Sequence, residues 1–398
     1  MRRAFHLVPG TGYQVSGTGY LGPGTRYRIS AEGRTPSTED RARPLENAHT
    51  GFASCTLPMY VAVYYSNRDI RLEEWPVPQV GPGEVLVRVR ACGVCGTDVL
   101  EWYRRPRAPV VLGHEIAGEV VEVGAGVTHL RPGDRVVVAH HVPCGACDDC
   151  YAGHETVCPV LQEGRVDPGG FAEYIRVPAL QTRRGIFRLP DELTWADGAM
   201  VEPLGCVLRG QRLARLEPGQ SVVVIGCGVA GLLHVRAAQA LGAGPIFGVE
   251  PDPFRREMAL RMGAWAVWSP EDDVVGALAA HLEGRRVQRV IVCTSAPAAV
   301  ELAFRCVGRG GTVLFFAPVP PGTTVPLPFN DLFWRNEVTL TSSYGAAPAD
   351  MRRALDLLRW GRIVVRDLVT HRFALRDIGR AFDLVLHPRD SLKVLVEP

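Results

Sequence analysis

A glycine-rich turn between a strand and a helix limits this chain more than any other feature. Residues 221–225 form a short apolar run bounded by polar residues, the pattern of a buried strand. Gly226-Cys227-Gly228-Val229-Ala230-Gly231 follows directly, and residues 229–241 then continue with helical periodicity. Each glycine has a separate purpose at this spacing. Gly226 permits the tight turn, Gly228 lets the backbone approach a pyrophosphate, and Gly231 lets the helix pack close to the strand. The helix start at Val229 and Ala230 offers free N–H groups and a positive dipole end to phosphates. In a chain with 43 glycines this spacing also arises by chance, so its context carries the reading. The second strand, residues 245–250, ends on an acid, Glu250, 24 positions after Gly226, where a carboxylate binds ribose hydroxyls. That carboxylate repels a 2′-phosphate and so favours NAD over NADP. Arg255 and Arg256 stand just beyond it, placed to stack on adenine or to offset the repulsion.

The rest of the C-terminal half has the same rhythm. Strand-like runs at 290–293, 312–316 and 338–342 continue the series, and residues 254–262 read as a second helix. Strands alternating with helices imply a parallel sheet covered on both faces, an α/β doubly wound domain over residues 205–343. Residues 59–204 have a different pattern. Residues 84–90 alternate at period two, and similar runs at 116–123, 135–139 and 172–177 are separated by glycine turns and long loops. This is a β-rich, antiparallel domain. Residues 344–398 hold two helices and a closing strand at 391–396, which are expected to return to and complete it. Residues 1–58 contain only nine Leu, Ile, Val or Phe against eight Gly and five Pro, too few apolar residues for a core. They are expected to be a disordered N-terminal extension.

Two constellations suit metal ions. Cys144, Cys147, Cys150 and Cys158 fall in one loop, and four thiolates close a tetrahedral zinc shell with no open position. Disulfides or an iron–sulfur cluster would use the same cysteines; no second cysteine cluster or other sign of electron transfer accompanies them, which favours zinc. His154, in the same loop, reads as a solvated histidine. The second set is dispersed: Cys95 in Gly93-Val94-Cys95-Gly96-Thr97-Asp98, then Gly113-His114-Glu115, then Glu202 before Pro203 and Leu204. Taken singly each is more often packing than ligation. Together they provide the thiolate, imidazole and carboxylate set of a catalytic zinc, with Asp98 a partner for the His114 imidazole.

Composition excludes several classes. Forty-four basic residues against 42 acidic ones leave a net charge of +2, too small to drive binding to nucleic acid or a membrane surface. No apolar stretch reaches the roughly 18 residues that span a bilayer. The basic start, Met1-Arg2-Arg3, is followed by too short an apolar run for a signal peptide, so a cytoplasmic location is expected. Lys393 is the only lysine, a bias that reads as the coding preference of a GC-rich genome rather than as function.

The order GVCGTD, GHE with GEVVEVG behind it, PGDRV, CxxCxxC with a fourth cysteine, GGFAEY, EPL and GCGVAG resembles the zinc-containing medium-chain dehydrogenases over residues 59–398. The polyol (sorbitol) and threonine dehydrogenase branch is the most similar. The resemblance implies a GroES-like catalytic domain plus a Rossmann domain, two zinc ions per chain, and transfer of hydride from an alcohol to NAD. By position it makes Cys95, His114 and Glu202 catalytic zinc ligands, with Glu115 a carboxylate that joins or leaves the metal. It gives Thr97 contact with the alcohol oxygen and puts Cys206 and Thr294 in the cofactor pocket. It also implies a homodimer or homotetramer.

One departure stands out. Many relatives carry a histidine two residues after the Asp of GTD, where this chain has Leu100, so the proton relay is shortened or completed by Glu115 or a water chain. The expected reaction is reversible oxidation of a secondary alcohol (a polyol, sugar alcohol or cyclitol) to a ketone. Trp102, Tyr103, Phe171 and Tyr344 are candidate pocket walls. Two alternatives stay open: an NADP-linked alcohol or sugar dehydrogenase of broad specificity, and a zinc-stabilised protein that senses NAD(H) without catalysis.

Overall fold

A computed structural model describes residues 58–163 and 165–398. The expectation for residues 1–58 therefore lies outside the described residues, apart from Pro58, which opens the first strand.

Six strands form a wholly parallel sheet in the order Ala266–Trp268, Ile246–Val249, Val222–Ile225, Val287–Val292, Val307–Phe315, Thr339–Ser342. Numbered along the chain, that order is 3-2-1-4-5-6, the doubly wound Rossmann arrangement. Its switch point lies between Val222–Ile225 and Val287–Val292, and this places the glycine turn at the crevice where such sheets bind ligands. The strand at Val222–Ile225 is buried at every position, which is why it reads as a continuous apolar run rather than an alternation. The patterns read in the sequence missed Ala266–Trp268, a half-buried strand of three residues, and the helices Val274–His281 and Pro297–Cys306. Short elements carry too few residues for a period to emerge.

The β-rich half holds a seven-stranded mixed sheet and a small three-stranded one. Val85–Val94 is central: it pairs antiparallel with Glu115–Val123, with Tyr174–Val177 and with the closing strand Lys393–Glu397. The closing strand Lys393–Glu397 thus joins this sheet and also runs parallel to Val369–Ala374. The helix Val201–Leu213 passes straight through the expected domain boundary at Leu204. It packs on the helices Val229–Ala240 and Pro348–Arg359, so one rigid rod joins the two halves. An apolar cluster containing Val137, Phe187, Leu204, Val224 and Leu355 is continuous across that junction. Among the described residues no helix is long and apolar enough to cross a membrane.

Candidate active site

The dispersed motifs converge at one end of the central strands of the mixed sheet. Cys95 ends the strand Val85–Val94 and caps a short 3₁₀ turn, Gly96–Val99. Its sulfur accepts the Thr97 N–H at 3.4 Å and the Thr97 hydroxyl at 3.2 Å. The Asp98 carboxylate reaches back to the Cys95 N–H at 3.0 Å, closing a reciprocal cap that fixes the thiol. Asp98 also stands 3.4 Å from His114 Nδ1 and accepts from Arg104 Nη2 at 3.1 Å. This puts Asp98 beside the imidazole on the Nδ1 side and leaves Nε2 of His114 as its candidate ligand nitrogen. Burial would pull His114 down, but the Asp98 carboxylate overrides it and holds the imidazole well above its usual range. Burial alone would raise Asp98; His114 and Arg104 hold it below the ordinary carboxylate range.

His114 owes its position to Gly113, whose φ is +93°. A Cβ there would lie 2.7 Å from the Phe171 backbone nitrogen, so no other residue fits without displacing the chain. Phe171 itself is 1% exposed, and its ring packs edge-on to Phe382 at 5.8 Å between centroids. It is core, not pocket wall. Trp102 and Tyr344 do remain exposed.

The ligand atoms of Cys95, His114 and Glu115 lie within 4.8 Å of one another. Glu202 is not part of that group; its carboxylate accepts from the Cys206 thiol at 3.3 Å, one helical turn along Val201–Leu213. Burial raises the Glu202 carboxyl, and the nearby Glu115 adds to the effect. Glu115 meets Lys393 instead, whose Nζ donates to both carboxylate oxygens, at 2.7 and 2.6 Å. This argues against Glu115 as the outlet that replaces the relay at Leu100. Its side chain is fully buried and touches no solvent.

Four groups that sequence reasoning passed over stand here. Arg104 donates from Nε to the Thr97 carbonyl at 2.9 Å and from Nη2 to the Thr97 hydroxyl at 3.2 Å. His140 and His141 follow the strand Arg135–Ala139 with their ring centroids 3.7 Å apart and tilted by 40°; His140 is 4.9 Å from the His114 ring and His141 5.6 Å from Tyr344. Burial pushes His140 well down and His141 to about 3, so both are neutral at physiological pH. The fourth is Lys393. The paired histidines ahead of the cysteine loop and the single lysine were visible signals; Arg104 offered none.

The cysteine loop makes a second, closed cluster. Its Sγ–Sγ separations are 3.9 Å (Cys144–Cys150), 3.6 Å (Cys147–Cys150), 3.8 Å (Cys147–Cys158) and 3.6 Å (Cys144–Cys158). A tetrahedron with metal–sulfur bonds of about 2.3 Å has edges of about 3.8 Å, so the four sulfurs fit one zinc ion. All four are free thiols, far beyond disulfide bonding distance. An iron–sulfur cluster sets its own iron and sulfide atoms between the thiolates and would hold them further apart. Backbone N–H groups of Cys144, Gly145 and Ala146 point at these sulfurs. His154 stays exposed.

At the glycine turn, Gly226 has φ +92°, and a Cβ on Gly231 would lie 1.9 Å from the Gly226 carbonyl oxygen. Beside Gly228 the space is open, with only the Arg255 guanidinium 4.0 Å from its Cβ position. Glu250 directly follows the second strand, Ile246–Val249. Its carboxylate folds onto the turn and accepts the Cys227 N–H at 2.6 Å and the Asp252 N–H at 3.1 Å. Asp252 caps the helix Pro253–Arg261 by accepting the Arg255 N–H. Thr294, just past the strand Val287–Val292, faces Gly226 across the switch point.

Residues 81–191 match the alcohol dehydrogenase GroES-like domain, and residues 229–360 match the zinc-binding dehydrogenase domain. Sorbitol dehydrogenase of Bacillus subtilis is 32% identical over 85% of this chain and 97% of its own length. The chain belongs to the zinc-containing medium-chain dehydrogenases, in their sorbitol and threonine dehydrogenase branch. L-Threonine 3-dehydrogenase of Pyrococcus horikoshii is 36% identical over 79% of this chain and 91% of its own. Among solved structures, a zinc-binding dehydrogenase from Sinorhizobium meliloti bound to NADP aligns with a TM-score of 0.77 and 34% identity. That alignment covers 86% of this chain and all of the other. This medium-chain dehydrogenase is therefore an oxidoreductase with the GroES-like and Rossmann halves read from its sequence.

Proposed function

We propose that the enzyme oxidises a secondary alcohol to a ketone, reversibly, with NAD. One observation carries this reading: Cys95, His114 and Glu115 bring a thiolate, an imidazole and a carboxylate within 4.8 Å, with the Thr97 hydroxyl on the Cys95 sulfur. That donor set suits zinc in a catalytic site, with Glu202 the additional carboxylate on the facing helix. Zinc, when bound, polarises the alcohol oxygen and lowers its pKa, and NAD accepts the hydride. Thr97 takes part in removing the alcohol proton, which its Oγ1 accepts only as its own hydroxyl proton passes on to water. Arg104 holds that hydroxyl from one side, and Asp98 holds His114 and the Cys95 backbone, so the reacting groups are preorganised. Cys144, Cys147, Cys150 and Cys158 hold a structural zinc. Gly226, Gly228, Val229, Ala230 and Gly231 cradle the pyrophosphate, Glu250 the ribose, and Cys206 and Thr294 line the remainder. We assign residues 59–204 with 344–398 to the catalytic domain and 205–343 to the cofactor domain.

NADP is the second reading. The guanidinium of Arg255 overhangs the glycine turn, and its Nε is buried without a partner. Initial rates with NAD and NADP across polyols, inositols, threonine and simple alcohols test both. Reduction of NAD by at least one secondary alcohol is expected. No reduction of either cofactor by a chain holding two zinc ions would overturn the proposal.

A further inference from the structure

The four-cysteine loop is held at both ends by arginines. At its start, Arg184, the last residue of the helix Ala179–Arg184, donates from Nη1 to the Pro143 carbonyl at 3.1 Å and to the Cys144 carbonyl at 2.5 Å. At its other end the arginine comes from a different part of the fold. Arg209 lies on the helix Val201–Leu213, the rod that joins the two halves, and its Nη1 stands 3.6 Å from Glu155 Oε2. Glu155 opens the short turn Glu155–Val157, and its carbonyl accepts the Cys158 N–H at 3.3 Å. One turn of backbone thus separates this carboxylate from the fourth sulfur of the cluster.

Arg209 is deeply buried for an arginine. It is 3% exposed, and neither Nε nor Nη1 makes a hydrogen bond. Nη1 faces two carboxylates at one distance, Glu155 Oε2 and Asp350 Oδ2, both at 3.6 Å. A charge at this depth needs counter-charges. Asp350 is already engaged: it accepts from Arg212 Nη2 at 3.2 Å and from the Ala347 N–H at 3.2 Å, at the start of the helix Pro348–Arg359. Glu155 has no other side-chain partner among the described residues. Without Arg209, Asp350 keeps Arg212, whereas Glu155, with 37% of its side chain exposed, turns to solvent. Exchanging a buried ion pair for apolar side chains is often neutral for stability. What Arg209 supplies is therefore position, a directed hold on a stretch in which no strand falls between Ala139 and Cys158.

We propose that Arg209 is a positioning residue for the four-cysteine site: through Glu155 it sets the turn that carries Cys158, and it ties the metal loop to the helix on which Glu202 sits two turns earlier. This rests on reading Cys144, Cys147, Cys150 and Cys158 as a metal cage.

The test uses the full chain with Cd²⁺ in the four-cysteine loop and zinc at the Cys95 centre. A chelator is added, and the decay of the sulfur-to-cadmium charge-transfer absorption is followed. Arg209→Met should lose cadmium about tenfold faster than wild type, the scale of partners just outside a metal's ligands, and Glu155→Gln by a similar factor. The double variant should be no faster than either, because both substitutions remove one contact. Arg209→Lys keeps a cation within reach and should recover most of the slow rate. Unchanged rates in the single variants, multiplied rates in the double, or an Arg209→Lys as fast as Arg209→Met would overturn the proposal. Should Arg209→Met fail to fold, Glu155→Gln decides, since its side chain is the more exposed of the two. A wild type whose four cysteines take up no metal refutes the cage itself, a different failure from a loaded cage indifferent to both substitutions.

Discussion

The Glu250 carboxylate accepts the backbone N–H of Cys227, at 2.6 Å, inside the glycine turn that it faces. That bond braces the turn from within. In the proposed cofactor site the same carboxylate stands where an adenosine 2′-phosphate would be repelled. Wild type should prefer NAD. Glu250→Ser should raise the KM for NAD, relax the discrimination against NADP, and cost about 1–2 kcal/mol of stability for the lost charged hydrogen bond. Initial rates with both cofactors and a denaturant titration check this; an unchanged NAD/NADP ratio would contradict it.

Cys147→Ser should act on folding rather than chemistry. A closed zinc site contributes folding free energy, so losing one of its four ligands lowers zinc content from about two ions per chain towards one. Thermal unfolding and metal analysis on purified protein give the answer. A variant as stable as wild type that has lost only turnover would show that the loop is not structural.

Cys95→Ala removes a ligand of the other centre. It should keep about one zinc per chain, abolish dehydrogenation and still bind NAD, because the glycine turn and Glu250 belong to the parallel sheet. Zinc analysis and cofactor fluorescence titration separate these effects. Full zinc content with full activity would sink the catalytic assignment.

Gly113→Ala tests how His114 is positioned. The new Cβ needs a left-handed φ and would meet the Phe171 backbone at 2.7 Å. The strain should cost about 1–3 kcal/mol and move the imidazole, so turnover should fall more than NAD affinity. Equal turnover in the two proteins would mean that the strand start tolerates the shift.

Acid sensitivity should trace in part to His234. It is fully buried on the helix Val229–Ala240, and burial pushes its pKa down to about 3. The folded form therefore keeps it neutral, while the unfolded chain takes up a proton below about pH 6.5. This contribution is complete above that pH and is lost as pH falls towards the folded value. Its slope is about 1.4 kcal/mol per pH unit. His234→Leu retains the Gln211 bond to the 234 carbonyl and should show a shallower loss of stability between pH 6 and 5. Parallel slopes in denaturant titrations would rule His234 out.

What was legible in the chain was local. The turn from Gly226 to Gly231 requires its glycines through steric contacts within a few residues, and the spacing of Cys144, Cys147, Cys150 and Cys158 is itself the geometry of a tetrahedral cage. Glu250 was legible because a strand and a helix of ordinary length fix its distance from the turn. The strand at 84–90 announced its half-buried face by alternation. Ala266–Trp268 gave no such sign, being too short to show a period.

The sequence by itself determined the two halves of the protein, the cofactor turn and the identities of the candidate metal ligands, since each rests on short-range sterics and periodicity. Only the tertiary structure decided which of those groups meet. Glu115 and Lys393 are 278 positions apart and form a buried ion pair because the strands that they open both pair with Val85–Val94. The same folding set the His140 ring beside His114 and sent Phe171 into the core. Spacing along a chain constrains neighbours within a turn or two. Beyond that, partnership is set by strand register and by the need of each buried charge for a counter-charge, neither of which a linear pattern displays.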